Sequence, residues 1–162
     1  MAFLTWTTMG IEIERKFLLK NNTWKTLAQT AEPIQQGYLN LDPVRTVRVR
    51  IKKGKGFLTI KGKTTHTTRQ EFEYEIPLNE AQELLNLCVF SIIEKTRYLV
   101  VYDNCTWEID VFEGDNQGLE VAEIELESED QVLKLPNWIG AEVSHEARYY
   151  NANLVTTPFK DW

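Results

Sequence analysis

The stretch Ile11-Glu12-Ile13-Glu14-Arg15-Lys16-Phe17 (IEIERKF) decides how the rest of the chain is read. Apolar Ile11, Ile13 and Phe17 alternate with charged Glu12, Glu14 and Lys16, the period-two pattern of a β-strand. Successive strand side chains point to opposite faces, so two carboxylates and an ammonium share one side. Either that side is solvated or it lines something.

The same parity recurs along the chain. Arg48, Arg50 and Lys52 oppose Val47, Val49 and Ile51, and Lys61 and Lys63 oppose Leu58 and Ile60. Arg69, Glu71, Glu73 and Glu75 oppose Phe72, Tyr74 and Ile76, and Lys95 and Arg97 oppose Tyr98 and Val100. Glu108 and Asp110 oppose Trp107, Ile109 and Val111, and Glu123, Glu125 and Glu127 oppose Ile124 and Leu126. Any one of these strands fits an ordinary one-sided sheet with its polar face in water. Two features set the group apart. The signs are segregated, with basic rows at 48/50, 61/63 and 95/97 and acidic rows at 12/14, 108/110 and 123/125. Arginine leads two basic rows, and its planar fork matches phosphate oxygens. Folded inward, such rows describe a wet ionic lumen in which carboxylates suit a hard divalent cation and guanidinium groups suit an oligo-anion. The pattern by itself leaves the charged outer surface equally open.

Strand patterns cover 10–19, 33–41, 45–53, 57–63, 69–77, 92–102, 106–112 and 119–126. The turns Lys53-Gly54-Lys55-Gly56 and Asp103-Asn104 join two of the pairs. Links this short force antiparallel neighbours, and a mostly antiparallel sheet of this size closes into a barrel or splits into a sandwich. Helical signals are fewer: a turn over 23–27, a helix over 79–85 with Asn79 as N-cap, a short helix over 128–135 capped by Ser128 and ended by Pro136, and a helical tail over 144–154.

The 162 residues, 43% of them hydrophobic, suit one domain with a real core, here 10–162. The leader MAFLTWTTMG lacks a basic start and a long apolar middle, so residues 1–9 read as a tail, with Met9 as an alternative initiator. A net charge of −6 argues against nucleic acid as a partner held by bulk charge. No run reaches membrane-spanning length. Cys88 and Cys105 lie in apolar runs and read as buried thiols of a reducing compartment, the cytoplasm. Gly62-Lys63-Thr64 mimics the end of a phosphate-binding P-loop, but Phe57 stands where that motif needs glycine and no helix follows. His66 and His145 are too isolated to form a zinc site, and His66 reads as exposed.

At IEIERKF the chain resembles the CYTH superfamily, the triphosphate tunnel metalloenzymes, whose signature E-x-E-x-K falls here on Glu12, Glu14 and Lys16. The likeness continues in order through QGYL with Tyr38, the Arg-x-Arg strand with Arg48 and Arg50, and LTIKG with Lys61. RQEFE with Arg69, EKTRY with Lys95 and Arg97, EIDVF with Asp110, AEIEL with Glu123 and Glu125, and HEARYYN with Arg148 complete it. It spans residues 10 to 155 and looks closest to the short bacterial members, many of which hydrolyse inorganic tripolyphosphate. The resemblance implies an α+β, mostly antiparallel chain: a closed eight-stranded β-barrel, or tunnel, with a charged lumen and a few outer helices. It implies Mg2+ or Mn2+ on Glu12, Glu14, Asp110, Glu123 and Glu125, with Asp110 acting directly or through a water. It implies phosphate contacts from Lys16, Arg48, Arg50, Lys61, Arg69, Arg97 and Arg148. Lys95 and Tyr38 resemble the family's proposed water-activating pair.

The residue-level alternatives stay open: Lys95 as a plain phosphate clamp, Tyr38 as a wall aromatic, and Glu71 and Glu73 as partners of lumen arginines. At the level of function, the expected partner is a small-molecule triphosphate and the expected reaction is hydrolysis of tripolyphosphate to pyrophosphate and phosphate. The alternatives are a nucleotide-acting relative (an adenylyl cyclase, or a nucleoside or thiamine triphosphatase) and a polyphosphate-binding module without turnover.

Overall fold

The computed structural model describes residues 10–162; the tail 1–9, with Met9, lies outside the described residues. Among the described residues nine strands form: β1 (Ile11–Leu19), β2 (Thr30–Asn40), β3 (Arg45–Lys52), β4 (Lys55–Gly62), β5 (Thr68–Ile76), β6 (Val89–Tyr102), β7 (Cys105–Phe112), β8 (Glu120–Glu125) and β9 (Ile139–Glu142). They pair in the order β5-β4-β3-β2-β6-β7-β8-β1, and β1 also pairs with β5, so eight antiparallel strands close into a barrel. The two short hairpins form as their sequences require. Lys53 and Gly54 have φ of 52° and 69°, and Asp103 and Asn104 have 49° and 62°. These left-handed pairs match the twist of the strands they join.

Closure falls on β1, whose edges are shared among several partners. Glu14–Leu18 pair with β8 along one edge. Along the other, Ile11–Ile13 pair with Gln70–Thr68 of β5, Glu14 N donates to Thr67 O, and Val143 N donates to Lys16 O. β9 takes over beyond that point, with Phe17 opposite Glu142 and Leu19 opposite Ile139. The side chain of Arg15 fastens this extra strand from outside, donating from Nε (2.9 Å) and NH2 (2.6 Å) to the two oxygens of Glu142.

A conventional apolar core lies outside the barrel wall. Phe17, Val100, Trp107, Ile109, Ala122 and Ile124 point outward and are sealed by Trp24 and Trp138. Trp24 comes from a short 3₁₀ turn, Thr23–Thr26, and Trp138 from the segment leading into β9. Phe17, Trp107 and Trp138 meet edge to face at 5.6 and 5.5 Å, the arrangement aromatic quadrupoles favour. A second apolar cluster has the opposite origin. Tyr38, Ile93, Phe112 and Val121 share the parity of the charged rows, and they meet Leu119, Leu154 and Val155 to plug one end of the lumen.

Helix α1 (Leu78–Asn86) begins one residue before the expected cap, with Pro77 at the N-cap position and no side-chain cap. Proline fixes the entry angle without needing a donor there. The tail expected to be helical over 144–154 forms a 3₁₀ turn, Ala147–Tyr149, and a single helical turn, α2 (Asn151–Leu154). Residues 128–135 form no helix. Val132 is 93% exposed and Leu135 48%, and only Leu133 packs on the core. With no apolar stripe to bury, so short a segment cannot offset its nucleation cost. β2 starts at Thr30 rather than 33, and Pro33 is tolerated because pairing with β3 begins only at Ile34.

Helix α1 lies directly on Gly56, where an added Cβ would sit 2.4 Å from the Cβ of Ala81. Gly56→Ala should therefore cost about 1–3 kcal/mol of stability in urea unfolding, as overpacking does. Ala81→Gly in the same chain should recover part of that loss. The Glu142 carboxyl is held below its usual range, chiefly by the hydrogen bond from Arg15. Its contribution is present above the ordinary carboxylate pKa and lost as pH falls through the depressed value. Glu142→Gln should lower the melting temperature at pH 7 by the equivalent of roughly 0.5–1 kcal/mol, the size of a well-formed surface pair, and the difference from the parent should shrink as pH falls below the ordinary carboxylate range.

Candidate active site

The inward parity of the rows brings the charged side chains of separate strands into one lumen. Glu12, Lys16, Arg48, Arg50, Lys61, Lys95, Asp110 and Glu123 are all buried. A charge removed from water is tolerated only when partnered, and the lumen supplies partners in three groups.

In the first group, Lys61 Nζ lies 3.0 Å from Glu12 Oε2 and 2.7 Å from Glu71 Oε2, and Arg69 Nε donates to Glu12 Oε2 at 2.8 Å. Burial works to raise the Glu12 pKa, but Lys61 and Arg69 outweigh it and hold the carboxyl well below its usual range. In the second, Glu73 Oε2 accepts from Arg50 NH2 and Thr59 Oγ1, both at 2.8 Å, with Arg48 NH2 at 3.4 Å. The third is built around Arg97. It donates to both oxygens of Asp110 at 2.6 and 2.7 Å, to Glu123 at 3.0 Å and to Glu108. Lys95 Nζ adds a bond to Asp110 at 2.5 Å, and Lys16 Nζ lies 2.7 Å from Glu123.

Of the five carboxylates expected to hold metal, two have no cation partner among the described residues. Glu14 and Glu125 are direct register partners on β1 and β8, a like-charge pairing that destabilises a sheet. Burial, with Glu123 and Glu12 adding, pushes Glu14 up to about 8. Burial, with Glu12, Glu108 and Glu71 adding, pushes Glu125 up to about 7. The all-oxygen donor chemistry and the mutual repulsion of this row fit a hard divalent cation. Among the described residues no three such side chains converge closely enough to enclose one, because Glu12, Glu123 and Asp110 are drawn onto Lys61, Lys16, Lys95 and Arg97. On the basic side, Arg48 Nε and Arg50 Nε are buried with no acceptor among the described residues. Burial, reinforced by Arg48, lowers Arg50 to about 10. Both features describe a cationic pair short of negative charge.

Lys95 sits deeper than the other cations, next to the plug. Its Nζ donates to Asn151 Oδ1 at 3.1 Å as well as to Asp110, and it lies 5.3 Å from the centre of the Phe112 ring. Burial lowers its pKa to about 8, with Arg97 adding and Asp110 opposing, so desolvation outranks the crowding by cations. Lys95 faces Ile34 across β2 and β6, whereas Tyr38 faces Val89. Tyr38 lies within the plug cluster, and no hydrogen bond joins it to Lys95. Arg148 also stands apart from the lumen. It is exposed, with its guanidinium 4.0 Å from the Trp162 ring centre.

Three further lumen residues lie inside motifs named above that assigned them no role: Gln36 in QGYL, Thr59 in LTIKG and Asn151 in HEARYYN. Thr59 and Gln36 are fully buried, and their parity with Lys61 and Tyr38 was the available signal. Asn151, whose Oδ1 accepts from both Gln36 and Lys95, sits outside any periodic run, and its place at the end of HEARYYN was the only signal. Glu71 and Glu73 do partner lumen cations: Glu73 the arginines, Glu71 a lysine. Lys63 lies beyond the end of β4 and is exposed, as is His66.

Relatives of known kind share this architecture. The chain is 48% identical over 155 residues to the inorganic triphosphatase of Acetivibrio thermocellus, covering 95% of this chain and 99% of that one. It is 35% identical over 148 residues to the inorganic triphosphatase of Nitrosomonas europaea, covering 88% and 95%. The crystal structure of an inorganic triphosphatase superposes with a TM-score of 0.65 at 34% identity, over 89% of this chain and 93% of that one. A protein of Pyrococcus horikoshii, 23% identical with a TM-score of 0.57 over 74% and 80% of the two chains, shares the fold. The CYTH domain matches residues 10–157, and by this match and these identities the chain belongs to the CYTH domain family.

Proposed function

We propose that the chain is a divalent-metal-dependent hydrolase of inorganic tripolyphosphate, yielding pyrophosphate and phosphate. The observation that carries this is the meeting, inside one closed lumen, of under-neutralised Arg48 and Arg50 with the crowded carboxylate row Glu12, Glu14, Glu123 and Glu125. The names of the relatives from Acetivibrio thermocellus and Nitrosomonas europaea support the choice of substrate. The free thiols of Cys88 and Cys105 support placing the enzyme in the reducing cytoplasm.

In this reading the basic rows hold the phosphate chain. Arg48 and Arg50 offer their unpartnered Nε donors to non-bridging oxygens, and Lys61, Arg69 and Lys16 neutralise charge along the chain. Glu12, Glu14, Glu123 and Glu125 would hold Mg2+ or Mn2+, with Asp110 supporting from Arg97. When bound, the metal neutralises phosphate oxygens and lowers the pKa of a water. The apolar plug of Tyr38, Phe112 and Leu154 keeps bulk water from the deep end, which strengthens every ionic contact within it. Lys95, poised between ammonium and amine, is our candidate for taking the proton of the attacking water. Arg97 and Asn151 fix its position, and Tyr38 serves as the end wall. Arg148, on the outer surface, has no part in this arrangement.

The deciding measurement is phosphate release from tripolyphosphate, ATP and thiamine triphosphate, each with Mg2+, Mn2+ or a chelator. Tripolyphosphate with metal should be the fastest case, and chelator should abolish release. Pyrophosphate appearing preferentially from ATP would point to a cyclase, and no release with any metal to a binding module. Lys95→Arg keeps the charge but removes the accessible amine, so kcat should fall by roughly 10²-fold, the scale of general base catalysis, with KM little changed. Turnover near the parent rate would leave Lys95 as a clamp.

A further inference from the structure

Glu73, like Glu71 and Glu108, is a lumen carboxylate engaged by cations that the proposed metal row does not use, and of the three it is the one set against the Arg48–Arg50 pair. It lies on β5 opposite Thr59 of β4, and its Oε2 takes hydrogen bonds from Arg50, Thr59 and Arg48 while Lys52 Nζ lies 3.9 Å from Oε1. One carboxylate thus sits against three cations of β3. Each N–H that points at Glu73 is withheld from a phosphate oxygen, and the carboxylate charge already neutralises the pair, so Glu73 and an incoming phosphate chain compete for the same two guanidinium groups even though their Nε donors stay open. The Glu73 side chain is 25% exposed, whereas those of Arg48 and Arg50 are 9% and 8%. The carboxylate is therefore the partner that can withdraw into water, while the arginines remain held by the wall. Thr59, fully buried, marks the position to which the carboxylate returns.

We propose that Glu73 is a displaceable counter-anion: it holds the Arg48–Arg50 pair in the resting enzyme, yields it to the incoming phosphate chain, and reclaims it as product departs. The proposal rests on reading the lumen as a triphosphate site, and it makes Glu73 a residue that sets affinity and product release. The carboxylate costs the substrate binding energy, and in return a shorter product anion, with fewer contacts, is displaced more readily. It also keeps two adjacent guanidinium groups from facing each other without neutralisation when the lumen holds no anion.

The test is calorimetric titration of tripolyphosphate and pyrophosphate into the full chain in the presence of chelator, comparing the parent with Glu73→Gln. Both anions should bind at least about tenfold tighter to the variant, the scale of one charged hydrogen-bond partner removed from competition. Pyrophosphate should also become a stronger inhibitor of metal-supported turnover. Glu73→Asp, which shortens the reach of the carboxylate and guards against misfolding of the amide variant, should shift affinity in the same direction by less. Equal or weaker binding in both variants would overturn the proposal and leave Glu73 as a fixed counter-ion that orients the arginines. Because the titrations need no turnover, tighter binding without phosphate release by the parent would sink the hydrolase reading alone. Phosphate release by the parent without tighter binding in the variants would sink this one alone.

Discussion

The structure depends on neutralising charges that the barrel removes from water. A lumen lined by Lys16, Arg48, Arg50, Lys61, Lys95 and Arg97 would be untenable as a field of like charge, and the carboxylates interleaved with them make burial tolerable. The consequence is a wall of definite side-chain positions. Arg97 bridges Glu108, Asp110 and Glu123 across three strands, so the ion pairs fix cross-strand register on the inner face as the tryptophans do on the outer one. Residual imbalance is confined to Glu14 and Glu125 on the acidic side and to the Arg48–Arg50 pair on the basic side. Those places are where an added cation or anion improves the electrostatics most.

The fold inverts the usual arrangement of a small β-protein. Apolar side chains face out and are covered by Trp24, Trp138 and α1, while polar ones face in. The stabilising hydrophobic burial therefore lies outside the wall and at the plug, and the site is free to be ionic. This separation lets lumen residues be chosen for chemistry while the packing of Phe17, Trp107 and Trp138 holds the barrel together.

Much of this was legible in the chain. Period-two alternation gave all eight barrel strands and sorted Glu12, Lys16, Arg48, Lys61, Lys95, Asp110 and Glu123 onto one face, because strand geometry fixes side-chain direction rigidly. Parity says which face, not whether that face is inside, and only closure between β1 and β5 decides it. Local propensity failed where tertiary pairing rules. Ile139–Glu142 contains glycine and no alternation, and it is a strand only because β1 offers an edge there. The 128–135 segment has a cap residue and a proline stop, but only Leu133 of its apolar side chains packs on the core. Arg148 followed a motif into a segment whose path over Trp162 no periodicity specifies, and the separation of Tyr38 from Lys95 depends on β2–β6 register, which spacing along the chain does not encode.

The divided edge of β1 has a consequence for how the molecule comes into being. The first strand meets β5 over Ile11–Ile13 alone, and its longer ladder waits for more than a hundred further residues: β8 beside it, and Val143 and Ser144 along its far edge. Until then the meander from β2 to β7 is an unclosed curved ribbon, its arginines and glutamates solvated and its tryptophan-bearing back uncovered. Such long-range pairing makes assembly slow, and it exposes sticky aromatic surface to neighbouring chains on the way. The cylinder therefore closes late, once β8 and the segment after it are available to β1.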